Sequence, residues 1–226
     1  MLVDYLVKQN WLQTPRLIRA FRKVNRADFL PEEFKDYGEM NQVFPIGWGK
    51  NILQPLMAAF MLERLQPKNG ENIMEVGAGS GWVTALLLET IVQPSDNPKV
   101  ESKKGKVIAL EAIPDLKNLA QKNIGKYGFI EKNMVEFLCA DGTKGYPLMG
   151  SRTDLPSGFD KIISCIPLKE LPETWKKQLA IGGTIVAVIG TSVWQFVKTG
   201  EDKFEENEYP GLTFMSVFDR PQMIRV

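Results

Sequence analysis

From residue 56 onward, short apolar runs alternate with amphipathic segments. Runs of four to six apolar residues bounded by turn residues read as buried strands. They fall near 72–76, 107–111, 134–139, 161–165 and 184–189. Between them, residues near 81–92, 114–127 and 172–180 carry helical spacing. The segment from Pro114 places Leu116, Leu119, Ala120 and Ile124 on one face, and Gly128 marks its end. Gly182 and Gly183 introduce the fifth strand. Strands alternating with helices predict an α/β fold, a doubly wound, mostly parallel sheet flanked by helices. After Gly190 the alternation stops. Residues 193–198, a turn at 200–203 and residues 212–218 predict a C-terminal antiparallel strand pair.

The first 55 residues have a different pattern. Thr14 and Pro15 form a helix start, an N-cap followed by proline at the first helical position. Leu17, Ile18, Phe21 and Val24 then share one face, while Arg16, Arg19, Arg22, Lys23 and Arg26 cover much of the rest. That basic surface reads as a solvated face, or else as a surface for an acidic partner. Residues 29–34 close this helical cap. A loop with Gly47, Trp48 and Gly49 spans 45–55, and a helix over 56–65 leads to the turn at 67–70. The chain therefore divides into a cap, 1–55, and a main domain, 56–226.

Composition narrows the chemistry. The 226 residues suit one α/β domain with additions, and 44% apolar content suffices for a core. A net charge of +1 gives no electrostatic case for nucleic acid or a membrane surface. No apolar run approaches membrane-spanning length, and no secretory signal is visible, so a cytoplasmic location is expected. Cys139 and Cys165 lie in apolar runs and read as buried, reduced thiols. Histidine is absent, which excludes histidine triads, histidine metal clusters and an imidazole base. The remaining tools are carboxylates, hydroxyls, amides and a cofactor; no metal is expected.

Residues 75–81, Glu75-Val76-Gly77-Ala78-Gly79-Ser80-Gly81, lie between a strand and a helix. Glycine permits positive φ and close approach of a ligand to the backbone. Free N–H groups at a helix start favour electron-rich ligand atoms. The pattern E-x-G-x-G-x-G resembles the first motif of S-adenosylmethionine-dependent methyltransferases of the Rossmann-like class, and implies that cofactor. Glu111 ends the strand 107–111, where an acid can accept hydrogen bonds from both ribose hydroxyls. It lies 30 residues beyond Gly81, against about 20 in the usual unit. The excess is 93–106, a Pro-, Ser-, Lys- and Gly-containing surface insertion. Asp141 and Gly142 follow the third strand; the methyltransferase resemblance places Asp141 near the adenine amino group.

Three segments sharpen the resemblance. Residues 20–24 (AFRKV) with 29–32 (FLPE), residues 44–55 (FPIGWGKNILQP) and residues 74–81 (MEVGAGSG) are similar to "AFRKVPR…F(V/L)PE", "PIGxGxTISQP" and "LEIGTGSGY". These belong to the protein-L-isoaspartate O-methyltransferases, and their order and spacing agree. That family methylates the α-carboxylate of L-isoaspartyl residues in damaged proteins. The resemblance implies an isoaspartyl protein or peptide substrate; with no N-P-P-Y type cluster and a net charge near zero no nucleic-acid partner is expected, and a monomer is favoured. It places Asn51, Leu53 and Gln54 at the catalytic acceptor loop, with Glu75, Gly77, Ala78, Gly79, Ser80, Gly81, Glu111, Asp141 and Gly142 at the cofactor.

The acceptor loop departs from the pattern. The family's Thr and Ser of "TIS" are Asn51 and Leu53 here. Leucine cannot donate a hydrogen bond; Asn51 keeps an amide donor at a neighbouring position. After the fourth strand the family has small residues, "TAA", where this chain has Ser164-Cys165-Ile166-Pro167-Leu168. Trp48 adds bulk to the loop, or packs the cap against the domain. Three readings follow: an isoaspartyl repair methyltransferase, a methyltransferase of the same fold acting on another nucleophile, and a non-catalytic S-adenosylmethionine-binding protein.

Overall fold

The computed structural model describes residues 1–92, 105–147 and 158–211. The cap opens with two helices, α1 (Leu2–Lys8) and α2 (Pro15–Lys23), followed by two short 3-10 turns, Arg26–Phe29 and Glu32–Tyr37. The stretch expected as a loop is instead a hairpin, β1 (Phe44–Gly47) and β2 (Lys50–Ile52). Helix α3 (Pro55–Leu65) then enters the main sheet region. Thr14 does not cap α2 with its side chain. Its hydroxyl donates instead to Glu63 of α3 at 2.7 Å, and the same carboxylate accepts from the Gln13 and Thr14 N–H groups. A carboxylate accepting several hydrogen bonds ties the cap to α3 more firmly than a local cap does.

The sheet has seven strands in the order β5-β4-β3-β6-β7-β8-β9. Strands β3 (Asn72–Val76), β4 (Lys106–Glu111), β5 (Val135–Cys139), β6 (Phe159–Leu168) and β7 (Leu179–Ile189) pair in parallel. They are joined by α4 (Trp82–Ile91), α5 (Pro114–Gly125) and α6 (Glu173–Gln178). Strands β8 (Ser192–Gly200) and β9 (Lys203–Pro210) close the sheet in antiparallel fashion. The chain leaves β3 toward β4 on one side and returns to β6 on the other. The reversal lies between β3 and β6, and open sheets of this kind bind ligands in a crevice outside the carboxyl ends of the strands at such a point.

Alternation along the strands splits the core in two. Ile73, Val107 and Ala109 face the cluster that also holds Leu6, Leu17, Phe21 and Leu86, so cap and sheet share one apolar interior. Met74, Val76, Ile108 and Leu110 face the opposite cluster, closed by Trp175 of α6. Every residue of α4 is buried, because the sheet lies beneath it and α2 above it. Phe21 meets Trp82 edge-on at 5.9 Å, and Lys23 reaches the buried Glu89 at 2.9 Å.

Several expectations are corrected. The partner of β8 is β9, immediately after a tight turn, not residues 212–218, which lie outside the described residues together with most of the 93–106 insertion. The final strand of the parallel set begins at Leu179, and Gly182 and Gly183 form an irregularity inside it between the Leu179 and Thr184 registers. Helix α6 is correspondingly short. Cys139 is exposed, since β5 is an edge strand with one open side; Cys165 is partly buried, and both cysteines are free. Arg26 is not on a solvated face: it is 4% exposed. No helix among the described residues is long and apolar enough to cross a membrane.

Candidate functional site

Strand β3 delivers Glu75 and Val76 to the crevice, and the chain then turns through Gly77, Gly79 and Gly81 at φ +84°, +57° and +93°. The N–H groups of Gly77 and Ala78 both donate to the Leu110 carbonyl, at 2.9 and 3.2 Å, which fastens the turn to β4. Gly77 has a second reason to lack a side chain. A Cβ there would lie 2.5 Å from Cγ2 of Ile166, the bulkier residue noted after the fourth strand. Ile166 sits where β6 shifts register between Ile163 and Pro167, and the buried Ser164 hydroxyl donates to its carbonyl at 2.9 Å.

The Glu111 carboxylate is fixed by two backbone donors. Oε2 accepts from Gly79 N–H at 2.9 Å and Oε1 from Ile113 N–H at 3.0 Å. Each oxygen keeps a further acceptor site directed elsewhere. Glu111 therefore joins the glycine turn to the start of α5 as well as ending β4.

Glu75 is fully buried beneath the turn. Its Oε2 accepts from the Thr84 hydroxyl at 2.5 Å, while Oε1 has no protein partner. Burial pushes its pKa up to about 8; the Thr84 hydrogen bond opposes the rise and the Glu111 charge adds to it. Ser80 Oγ and Trp82 Nε1 are also buried without a protein partner, on either side of Gly81. Buried polar atoms without partners are uncommon in native proteins, and three of them gather around this one turn. Trp82 was not anticipated, because its place in an apolar helix signal reads as core.

Asp141 is exposed at the end of β5. Its Oδ1 accepts from Thr143 N–H and Oγ1 at 3.1 and 2.6 Å, and the Thr143 hydroxyl holds its pKa below the usual carboxylate value. Gly142 is buried against β3, where a Cβ would meet Val76 Cγ1 at 2.5 Å; its carbonyl accepts from Trp175 Nε1 at 2.8 Å. These contacts set Asp141 beside the same crevice mouth. The buried thiol of Cys165 is pushed well above its usual pKa by burial, then by Glu75 and Glu111, so it is a neutral packing group. Among the described residues no cluster of acids and cysteines could hold a metal.

The β1–β2 hairpin covers the turn. Ile46 Cδ1 lies 3.2 Å from the point a Cβ of Gly79 would occupy. Asn51 is exposed on β2, paired with Pro45. Gln54 is committed by its amide, which donates to the Asn41 carbonyl at 2.9 Å, while Asn41 Oδ1 receives Leu56 N–H. Leu53 is only 8% exposed and packs in the main core. Its carbonyl accepts from Arg26 Nη2 at 3.2 Å. Arg26 also donates to the Met40 and Gln42 carbonyls at 3.1 and 2.7 Å, and its guanidinium lies 5.5 Å from the Phe44 ring and 5.0 Å from the Trp82 ring. Burial lowers its pKa to about 9. One cation thus gathers the cap, the segment before the hairpin, the segment after it and the start of α4. By spacing Arg26 continues the basic series of Arg16, Arg19, Arg22 and Lys23, but α2 ends at Lys23 and Arg26 opens the following 3-10 turn, which carries it inward.

Comparison with known proteins places the chain in a family. The family model for protein-L-isoaspartate(D-aspartate) O-methyltransferase matches residues 1–222. A protein-L-isoaspartate O-methyltransferase of Methanopyrus kandleri is 33% identical over 218 residues, 95% of this chain and 88% of the relative. One from Staphylothermus marinus is 34% identical over 188 residues, 83% and 77% of the two chains. In fold, the chain is similar to a candidate protein-L-isoaspartate O-methyltransferase of Plasmodium falciparum crystallised with S-adenosyl-L-homocysteine. The TM-score is 0.76 at 21% identity, over 94% of this chain and 96% of the other. With the family model spanning nearly its whole length, the chain belongs to the protein-L-isoaspartate(D-aspartate) O-methyltransferase family.

Proposed function

We propose that this protein transfers the methyl group of S-adenosylmethionine to the α-carboxylate of L-isoaspartyl residues in damaged proteins or peptides. The observation that carries this reading is the glycine turn at the sheet's reversal point, clamped by Glu111 and overlaid by the hairpin. The residues present fit the cofactor. The unpartnered Ser80 hydroxyl and Trp82 indole N–H, with Glu75 Oε1, offer polar contacts around Gly77, Ala78, Gly79 and Gly81. The outer acceptor sites of Glu111 suit ribose hydroxyls, and the exposed Asp141 carboxylate beside Gly142 suits an exocyclic amine.

When bound, S-adenosylmethionine supplies a methyl group activated by a sulfonium. The chain's task is to align an acceptor with it and exclude water. A carboxylate with a pKa near 4 is already ionised at neutral pH and needs no base, which suits a chain without histidine. The cap, 1–55, provides closure over the domain 56–226, with Ile46 against the turn. Of the three acceptor-loop residues, Asn51 alone keeps an exposed, uncommitted amide; we assign it the orienting contact to the acceptor. Gln54 holds the loop through Asn41, and Leu53 acts by packing. Both cysteines are free, which suits a cytoplasmic monomer.

Leu53 supports a second reading, a different carboxylate acceptor, because leucine lacks the hydroxyl the family places there and its side chain is buried in the core. Methyl transfer from labelled cofactor to matched isoaspartyl and aspartyl peptides separates the two. Transfer to the isoaspartyl peptide alone is expected. No transfer to either, with calorimetric cofactor binding intact, overturns the isoaspartyl reading.

A further inference from the structure

Trp48 occupies the first of the two central positions of the hairpin turn, at φ +51°, followed by Gly49 at +67°. Two left-handed residues match the twist of the flanking strands, and Asn or Gly normally fills that first position. A large side chain in this region is an outlier that persists when something else requires it. Packing does not require it. The indole is 52% exposed, and among the described residues it stacks on no other ring. The other four tryptophans pair with rings or, for Trp175, lie buried with the N–H satisfied.

The place of this indole gives it a use. The hairpin that carries it rests on Gly79 of the cofactor turn through Ile46. Lys50 and Asn51, both exposed, follow it on β2. At the other end of β1, Phe44 stacks with Tyr37 at 6.0 Å, and Tyr37 is 47% exposed. Trp48 lies four positions beyond Phe44, about 13 Å of strand at ~3.3 Å per residue, the rise of an extended peptide. Two of the six exposed large apolar side chains among the described residues therefore mark the two ends of this one hairpin. We infer that Trp48 is a specificity-determining contact for the extended peptide that carries the reacting residue, receiving an aromatic or apolar side chain next to it in sequence. The inference rests on the isoaspartyl reading above and adds the sequence context that the site prefers.

The test uses two dye-labelled isoaspartyl peptides that differ only in the flanking residue, Phe or Gly. Their affinities are read by anisotropy with S-adenosylhomocysteine present, so no turnover is needed. Wild type binds the Phe peptide about five- to tenfold more tightly, the range of an aromatic pair. Trp48→Asn gives an Asn-Gly turn, which the backbone favours, so it melts at or above the wild-type temperature. It binds both peptides alike, whereas Trp48→Phe retains the preference. In turnover, Trp48→Asn raises KM for the Phe peptide and leaves kcat within about twofold. Equal binding of the two peptides by wild type, or an undiminished preference in Trp48→Asn, overturns the inference. A Trp48-dependent preference without methyl transfer leaves it standing and overturns the isoaspartyl reading alone.

Discussion

The two walls of the crevice are built by different means. On the wall proposed for the cofactor, backbone makes the surface: three left-handed glycines, two N–H groups on one carbonyl, and a carboxylate held by two more N–H groups. On the wall proposed for the acceptor, side chains make it: Leu53 in the core, Asn51 in solvent, and a buried arginine gripping three carbonyls. A backbone-built site tolerates little change, because each position is constrained by φ or by space. A wall made of side chains can be altered residue by residue while the fold persists. The departures at Asn51, Leu53 and Ile166 fall toward the acceptor, where such alteration is possible.

Substitutions sharpen that contrast. The largest effect belongs to Gly77→Ala. Positive φ and a Cβ 2.5 Å from Ile166 Cγ2 combine, so a loss of about 3–4 kcal/mol of stability and of calorimetric cofactor binding is expected. A variant that binds normally would place the turn's rigidity elsewhere. Arg26→Gln comes next. It leaves the partly buried carbonyls of residues 40 and 42 and the buried one of residue 53 short of donors, at about 2–3 kcal/mol in denaturant unfolding, with isoaspartyl turnover reduced more than cofactor affinity. Equal losses of both would mean that the arginine serves the two walls alike.

Leu53→Ser tests the acceptor wall directly. Removing a buried leucine for a hydroxyl costs about 2–3 kcal/mol, yet below the melting transition isoaspartyl kcat should rise. A rate that stays flat with folding intact shows that the hydroxyl has no role here. Glu111→Ala should weaken S-adenosylmethionine by about 1–3 kcal/mol through the lost charge-assisted bonds, read by calorimetry. An unchanged dissociation constant removes Glu111 from the ribose contact.

The smallest effect per unit change is the pH response of Glu75. Its folded pKa, about 8, stands above its ordinary value of 4.5. The folded state then binds more protons than the unfolded one between those values. This contribution is present below about pH 4.5 and is lost as pH rises toward 8, with a slope of at most about 1.4 kcal/mol per unit. Ligand-free melting temperatures of wild type and Glu75→Gln, compared from pH 5 to 8, should diverge with that sign. Parallel curves would show that Glu75 is ionised throughout.

Legibility followed locality. The strand, glycine turn and helix over 72–91 could be read because each signal lies within a few residues of the next. The hairpin at 44–52 was hidden, since its turn holds Trp48 rather than asparagine and its first strand contains Pro45. Strand β9 was overlooked because its acidic sequence lacks alternation; it is an edge strand, exposed for most of its length, where charge discourages pairing with other chains.

The parallel α/β sheet, the glycine turn, its flanking acids and the absence of imidazole chemistry are written in the order of residues, because periodicity and φ preference are properties of neighbours in the chain. Only tertiary structure decided that Arg26 and Leu53 are buried, that Trp48 is exposed, and that Glu111 grips Gly79. Those outcomes depend on which groups far apart in the chain arrive at the same place, and burial, charge and hydrogen bonding take their values only there.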